Sequence, residues 1–430
     1  MNRSLVVAIV MLATAALTGC GPGTASRDEV AVPGDAATLQ EAINLVSPGG
    51  TIEIAAGRYE EQVVVDKADV TIRGADRNRT VIDGGGVRPY GIVVIADGVR
   101  IENLTVTRAT FYGVLVTGLH DGASPSAPTT DGYTGWDPAA FPPLQRFLVD
   151  HVTAHNNGLY GIYAFNAQHG VIRDSYASGS ADSGFYVGQC EQCDILVTGN
   201  VAERNAVGFE NANASDSVVI VGNRFTENRV GMTLLSSYQE AFTPQRGNLV
   251  VGNLIADNQS GDSPSQAEGG FATGVGISGG QRNVFERNLI TGNARAAVIL
   301  TNAEDLAAIG NRFDGNVVDG AVGLANLSSE RAPASGNCWT ADAVRTIPLE
   351  LAPQVGPGCD AGLPQATASA LDGPVVPGGV SFLQVAPPRD QPQLPAASHS
   401  APLPGRVDLP DLASFELPQP DFLADRAGAR

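Results

Sequence analysis

Tyr163, Tyr186 and Glu210 each follow a glycine by two residues, in Gly161-Ile162-Tyr163, Gly184-Phe185-Tyr186 and Gly208-Phe209-Glu210. The steps between them are 23 and 24 residues. If each glycine opens an equivalent strand, the three side chains stand in one outward row, neighbours about 5 Å apart. Leu115 precedes them in that row, Thr233 follows, and Asp182 sits one turn position away. Aromatic faces bind sugar rings, and a phenol beside a carboxylate takes or delivers a proton. Tyr163, Tyr186, Glu210 and Asp182 are therefore the catalytic candidates, for a lyase, epimerase or hydrolase step on a polysaccharide. Two blander readings stay open: a glycan-binding face without turnover, and an exposed face on which tyrosines pair across strands.

A second set of residues has the makings of a metal site. His169 lies one coil before Gln192, which Cys190 and Cys193 flank, and Asp216 takes the corresponding turn one coil later. Two thiolates, an imidazole and a carboxylate would make a four-ligand site for a transition metal. The competing state of Cys190 and Cys193 is a disulfide, the commoner fate of such a pair in an oxidising compartment.

Positioning these groups requires a stack of similar coils. Asn200, Asn223, Asn253, Asn288 and Asn311 form one column, and Asn205, Asn228, Asn258, Asn293 and Asn316 a second, five residues on. Both advance by 23, 30, 35 and 23 residues, a basic turn plus small insertions, which is the signature of a solenoid. The asparagines are expected at inner turns, bonding stacked backbone groups as amide ladders do. Glycines 91, 113, 161, 184, 208 and 231 open the strands, mostly 22 to 24 residues apart. The step of 48 from Gly113 to Gly161 reads as one extra coil plus an insertion of about 25 residues, placed at 119–146 and carrying Tyr133, Trp136 and Phe141. That insertion is a candidate wall over the tyrosine row. Ile162 and Ala164 should face inward and Tyr163 outward. About ten coils would give a rod roughly 45–50 Å long.

At the N-terminal end, Thr38–Val46 places Leu39, Ala42, Ile43 and Val46 on one helical face, a cap for the open end of the stack. Strands are expected at Thr51–Ile54, Gln62–Val65, Val70–Ile72 and Thr80–Ile82. Beyond about Cys338 the repeat fades, and residues 341–430, rich in proline and alanine, read as an extended or disordered tail. The rod itself spans 37–340.

Arg3, the apolar run Leu5–Leu17 and Leu17-Thr18-Gly19-Cys20 form a targeting segment too short to span a bilayer comfortably. The tetrapeptide resembles the bacterial lipoprotein signal, which implies cleavage before Cys20, lipid on its sulfur, and an extracytoplasmic protein held at the membrane. Residues 1–20 are then signal and 21–36 a tether. The four remaining cysteines favour Cys190–Cys193 and Cys338–Cys359 disulfides. A formal charge of -19, with Lys67 the only lysine, excludes nucleic acid as a partner. It weighs less against polyanionic sugars, which a local arginine cluster or a bridging cation would still admit.

Ala37–Gly74, with its helix, Gly57-Arg58-Tyr59 and Thr71-Ile72-Arg73-Gly74, resembles the opening of right-handed parallel β-helix proteins, pectin-degrading enzymes among them. Tyr160-Gly161-Ile162-Tyr163, Asp182-Ser183-Gly184-Phe185-Tyr186-Val187-Gly188-Gln189 and Gly208-Phe209-Glu210-Asn211 resemble the signature of a family of bacterial parallel β-helix repeat proteins. The third element matches only in part, because Ala212 stands where that signature has a second glutamate. The resemblance implies an all-β, right-handed parallel β-helix and no particular chemistry. A more distant resemblance, to the copper-site maturation proteins of nitrous oxide reductase, supplies the rival reading of a non-enzymatic scaffold for metal-centre maturation. A pectate-lyase-like set of calcium-binding aspartates with its arginine is absent from the sequence, as is a pectin-esterase-like Gln-Asp-Asp-Arg arrangement. Val149-Asp150-His151 resembles a lyase tripeptide, but His151 falls on the first asparagine column and reads better as a buried turn residue. The expectation is a monomeric, lipid-anchored β-helix that binds or processes polysaccharide, with no cofactor required and calcium or a transition metal as the alternative.

Overall fold

The structure, a computed structural model, describes residues 26–122, 138–320, 322–340, 344–354, 364–395 and 402–428. Cys20, Tyr133, Trp136 and Cys359 lie outside these.

The cap helix runs Leu39–Leu45. Thr38 Oγ1 accepts from the Glu41 amide at 3.1 Å while Glu41 Oε2 accepts from the Thr38 amide, a capping box that ties down two otherwise unpartnered donors. Its buried residues, Leu39, Ala42 and Ile43, close the end of the core. The tether is shorter than expected. Arg27–Val32 is already a strand, parallel to Val46–Ile54, with Val30 and Val32 buried. Its inward valines, alternating with exposed residues, are the period-2 signal that makes it part of the rod.

The chain is an all-β, right-handed parallel β-helix. One face is an eleven-stranded parallel sheet in which every coil contributes one strand, from Val63–Val65 to Thr346–Ile347. The rest of each coil is a pair of short strands, such as Ile195–Thr198 and Val201–Glu203, hinged at an asparagine. Ile162, Phe185, Phe209, Met232, Val275 and Val298 stack down the interior, each fully buried. Burying each side chain of this size contributes about 1.5–3 kcal/mol. Strand Tyr112–Thr117 pairs directly with Ile162–Phe165, Val114 against Ile162, so no extra coil separates them. The 48-residue step is one coil carrying the insertion.

The asparagines form three ladders rather than two. Asn200, Asn223, Asn253, Asn288 and Asn316 make the first, each carboxamide oxygen accepting from the amide of the asparagine before it at 2.9–3.0 Å. Asn205, Asn228, Asn258 and Asn293 make the second. Asn248, Asn283, Asn311 and Asn337 make a third at the remaining corner, closed by Gln365. Asn311 and Asn316 therefore each belong one corner earlier than the spacing implied. Insertions had shifted the offset, and a third corner using the same residue type is invisible to counting alone. The residue before each rung of the first ladder takes a left-handed turn, φ 66° at Gly199 and 62° at Gly222. His151, φ 52°, takes this same place one residue off the ladder, where it is buried.

The described parts of the tail are extended and lie along the rod. They run from Gln365, at the end of the third ladder, to Leu394 against Asn103, and return to Gly428 at Glu203. Buried arginines hold it by its carbonyls: Arg229 Nη1 on Pro377 at 2.9 Å and Arg77 Nη1 on Pro392 at 3.0 Å. Phe415 packs over Gly222 and Gly252, where an added Cβ would collide with or crowd its side chain. Proline-rich chain has little internal hydrogen bonding and exposes its carbonyls, which suits it to arginine donors.

Candidate functional site

The register places Leu115, Tyr163, Tyr186, Glu210 and Thr233 in one row across five neighbouring strands. The row points away from the core, yet it is covered. Tyr163 is 9% exposed and Tyr186 only 1%, within an outer apolar layer that includes Leu119, Phe165 and Ala212. Leu119 and Phe141, from the two described ends of the 119–146 insertion, belong to that layer, so the insertion does pack beside the row. Tyr160 stacks on Tyr163 with centroids 4.4 Å apart, and Tyr163 meets Tyr186 edge-on at 4.7 Å. Gly188 matters here because a Cβ would stand 2.3 Å from the Tyr186 ring that lies across it.

The open part of the site is acidic. Asp182 and Glu210, both half-buried, lie close enough to couple, and Tyr160 lies near enough to Asp182 to favour its charged form. Burial pushes Asp182 up to about 6, with Glu268 adding to the shift and Tyr160 opposing it. Glu210 is held well above the usual carboxylate range by burial first, then by the charges of Asp182, Glu240 and Glu268. Glu210 therefore keeps its proton to higher pH than an ordinary glutamate, and the two carboxyls titrate as one coupled pair.

Glu240 completes the cluster and was missed by sequence reasoning. Tyr186 Oη donates to Glu240 Oε1 at 2.8 Å, while Glu240 Oε2 is buried without a partner. Burial raises Glu240 to about 7, against the hydrogen bond from Tyr186. Its loop is fastened by Asn213, which takes the Ser237 amide and gives to the Ser237 and Glu240 carbonyls, and by Gln189 Oε1 on the Ala241 amide. The available signal was the 30-residue step from Asn223 to Asn253, an insertion that had to go somewhere. Glu268 lies likewise on the 35-residue step. Tyr186, its hydroxyl occupied and its ring enclosed, positions Glu240 rather than presenting a face to solvent.

These shifts fix a sign. Glu240 folded at about 7 against an ordinary 4.5 keeps its proton in the folded state after the unfolded chain has lost it. Its contribution to stability is therefore full below about 4.5 and is lost as pH rises through 7. Glu240→Gln should melt higher than the parent at pH 8 and close to it at pH 4, measured by calorimetry at the two pH values. A gap that widens toward low pH would contradict the assignment.

Cys190 and Cys193 are joined to each other, Cα atoms 5.3 Å apart. Both sulfurs are thereby used, so the Cys190, Cys193, His169 and Asp216 metal set is not assembled. His169 Nδ1 instead meets Asp194 Oδ2 at 2.8 Å, and Asp216 pairs with Arg246 at 3.0 Å. Cys338 is also disulfide-bonded, its expected partner Cys359 being outside the described residues. Asp150, His151 and Asp174 bring donor atoms within 4.8 Å of one another, a geometry that could hold a cation among the described residues. Their charge is already compensated, Asp150 by Arg173 at 2.6 Å and Asp174 by Arg426 at 2.9 Å.

Residues 69–255 match the family model described as right handed β-helix region, which agrees with the coils described above. No curated protein matches the chain. Among solved structures, the A-module of mannuronan C-5 epimerase AlgE4 from Azotobacter vinelandii is 18% identical, covers 71% of this chain and 89% of its own, and has a TM-score of 0.44. Pectate lyase Pel9A is 17% identical over 81% of this chain and 90% of its own, also at 0.44. The Dettilon tailspike protein is 13% identical over 69% of each chain, at 0.33.

Proposed function

We propose that this β-helix is a glycan-processing protein held outside the cytoplasm by lipid on Cys20, acting as a monomer on envelope or environmental polysaccharide. The observation that carries the reading is the grouping of three carboxyls, Asp182, Glu210 and Glu240, beside a tyrosine floor, with Glu240 held by Tyr186. Glu210 gives its proton to a glycosidic oxygen. Glu240, held by Tyr186, takes one from water. Asp182 keeps Glu210 protonated and is itself oriented by Tyr160.

Of lyase, epimerase and hydrolase chemistry, the cluster favours hydrolysis. Elimination and epimerisation of a uronate remove a proton beside a carboxylate, whose charge must be neutralised. Among the described residues, the charges that act most strongly on Glu210, Asp182 and Glu240 are those of other acids. The site should therefore prefer neutral glycans. Assayed on a panel of neutral and uronic-acid polysaccharides, the purified protein should release reducing ends from a neutral member. Turnover confined to uronates would overturn the hydrolase assignment, and neither binding nor turnover on any member would overturn the function. No cofactor enters these steps.

The rival is a non-enzymatic solenoid scaffold, favoured by one observation: the tyrosines pack against each other so closely that they also serve as a stabilising outer layer. Its metal-maturation variant loses its ligands to the Cys190–Cys193 disulfide.

A further inference from the structure

On the opposite side of the coil, the tail bridges over the rod and leaves a half-open cavity of about 360 Å³. The rod supplies Arg58, Arg108 and His155, and the tail supplies Val385, Pro387 and Arg389. Three guanidinium groups on one cavity are notable in a protein whose formal charge is -19. The acid that answers them directly is Asp83, fully buried and paired with both Arg58 and Arg108, while Glu60 acts on Arg108 from farther away. Positive charge is left over.

So are donors. Arg108 gives Nε and Nη2 to Asp83, and Arg58 gives Nη2, which among the described residues leaves Nη1 of Arg108 and Nε and Nη1 of Arg58 for another acceptor. Arg389 Nη1 makes only a long contact, 3.4 Å, with the Asp425 carbonyl. A planar or tetrahedral oxyanion is the acceptor that guanidinium forks match. The volume sits at the lower end of small-molecule pockets, and Val385 with Pro387 offers an apolar surface for a compact ring.

We infer that this cavity is a second binding site, for a monosaccharide-sized ligand bearing a carboxylate or phosphate, which bridges Arg58 and Arg108 of the rod to Arg389 of the tail. Bridging has a consequence of its own: the ligand fastens the tail. The site is separate from the acidic cluster and does not depend on the function proposed for it.

Isothermal titration of the full mature chain with glucuronate, glucose 6-phosphate, inorganic phosphate and glucose tests this. One or both charged sugars should bind and glucose should not. Arg58→Ala and Arg389→Ala should each weaken binding about tenfold or more, the loss of one charged hydrogen bond. Arg389 is exposed, so Arg389→Ala should leave the melting temperature unchanged, whereas Arg58→Ala also removes one partner of buried Asp83 and should melt somewhat lower. Should Arg58→Ala fold poorly, Arg389→Ala on the tail carries the test alone. Bound ligand should also slow proteolysis of the tail. Glu210→Gln should leave this binding intact, which separates it from events at the acidic cluster. Silence from both charged sugars, equal binding of glucose, phosphate alone binding as tightly as the sugars, or indifference to Arg389→Ala would each overturn the proposal.

Discussion

Glu210→Gln should lower turnover of a neutral polysaccharide by about 10²–10⁴-fold, the range for losing a positioned acid. The carboxamide keeps the shape and a hydrogen bond toward Asp182 but has no proton to deliver. Binding should survive, so the loss should appear in kcat rather than in KM. The pH profile carries a second signature. In the parent, activity should rise as the base Glu240 ionises near 7 and fall as Glu210, held well above the usual carboxylate range, gives up its proton. The substitution should abolish the alkaline limb, because no group remains to titrate there. A variant that keeps full kcat would remove Glu210 from the chemistry and leave the scaffold reading in place.

Asn253→Ala should be the most damaging single change to the rod, costing about 3–5 kcal/mol from the groups it strands in the interior. Asn253 Oδ1 accepts from both the backbone amide and the side-chain amide of Asn223 at 2.9 Å. Its own Nδ2 gives to Ile220 and Val251 carbonyls and to Asn288. Alanine leaves the Asn223 amide and the Ile220 carbonyl buried without partners, far from water. Because each coil rests only on its neighbours, the loss should also open the stack locally. Urea unfolding with hydrogen exchange at Asn223 and Asn288 would show both effects. A loss below about 1 kcal/mol would mean that water fills the gap and the ladder is not what holds the coils in register.

Much of the rod was legible because repetition overdetermines it. Gly161-Ile162-Tyr163 and its equivalents set inward and outward faces for six coils, and the structure keeps Tyr163, Tyr186 and Glu210 in one row. Where repeats were interrupted, legibility failed. Asn311 and Asn316 were assigned to the wrong corners because insertions change spacing without changing residue type. Glu240 went unseen for the same reason, being on an insertion that no alignment of coils can place. Burial of Tyr186 depends on chain from other coils folding over it, a long-range contact with no local signature. For the tail, composition implied an extended chain but not where it would be seated. Its prolines and alanines have no core of their own, and the arginines that seat it, Arg77 and Arg229, lie 315 and 148 residues away from the carbonyls they hold.

The claim at the centre of this account is that Asp182 and Glu210 titrate as one coupled pair at a place where a glycan binds. Carbon-13 NMR of the two labelled carboxyl carbons, followed from pH 3 to pH 10 with and without a neutral oligosaccharide substrate, reads both parts at once. Two separated steps are expected, the lower near 6 and the upper above it, each moving when the oligosaccharide is added. Two carboxyls titrating together in the ordinary range near 4, unmoved by any oligosaccharide, would contradict it.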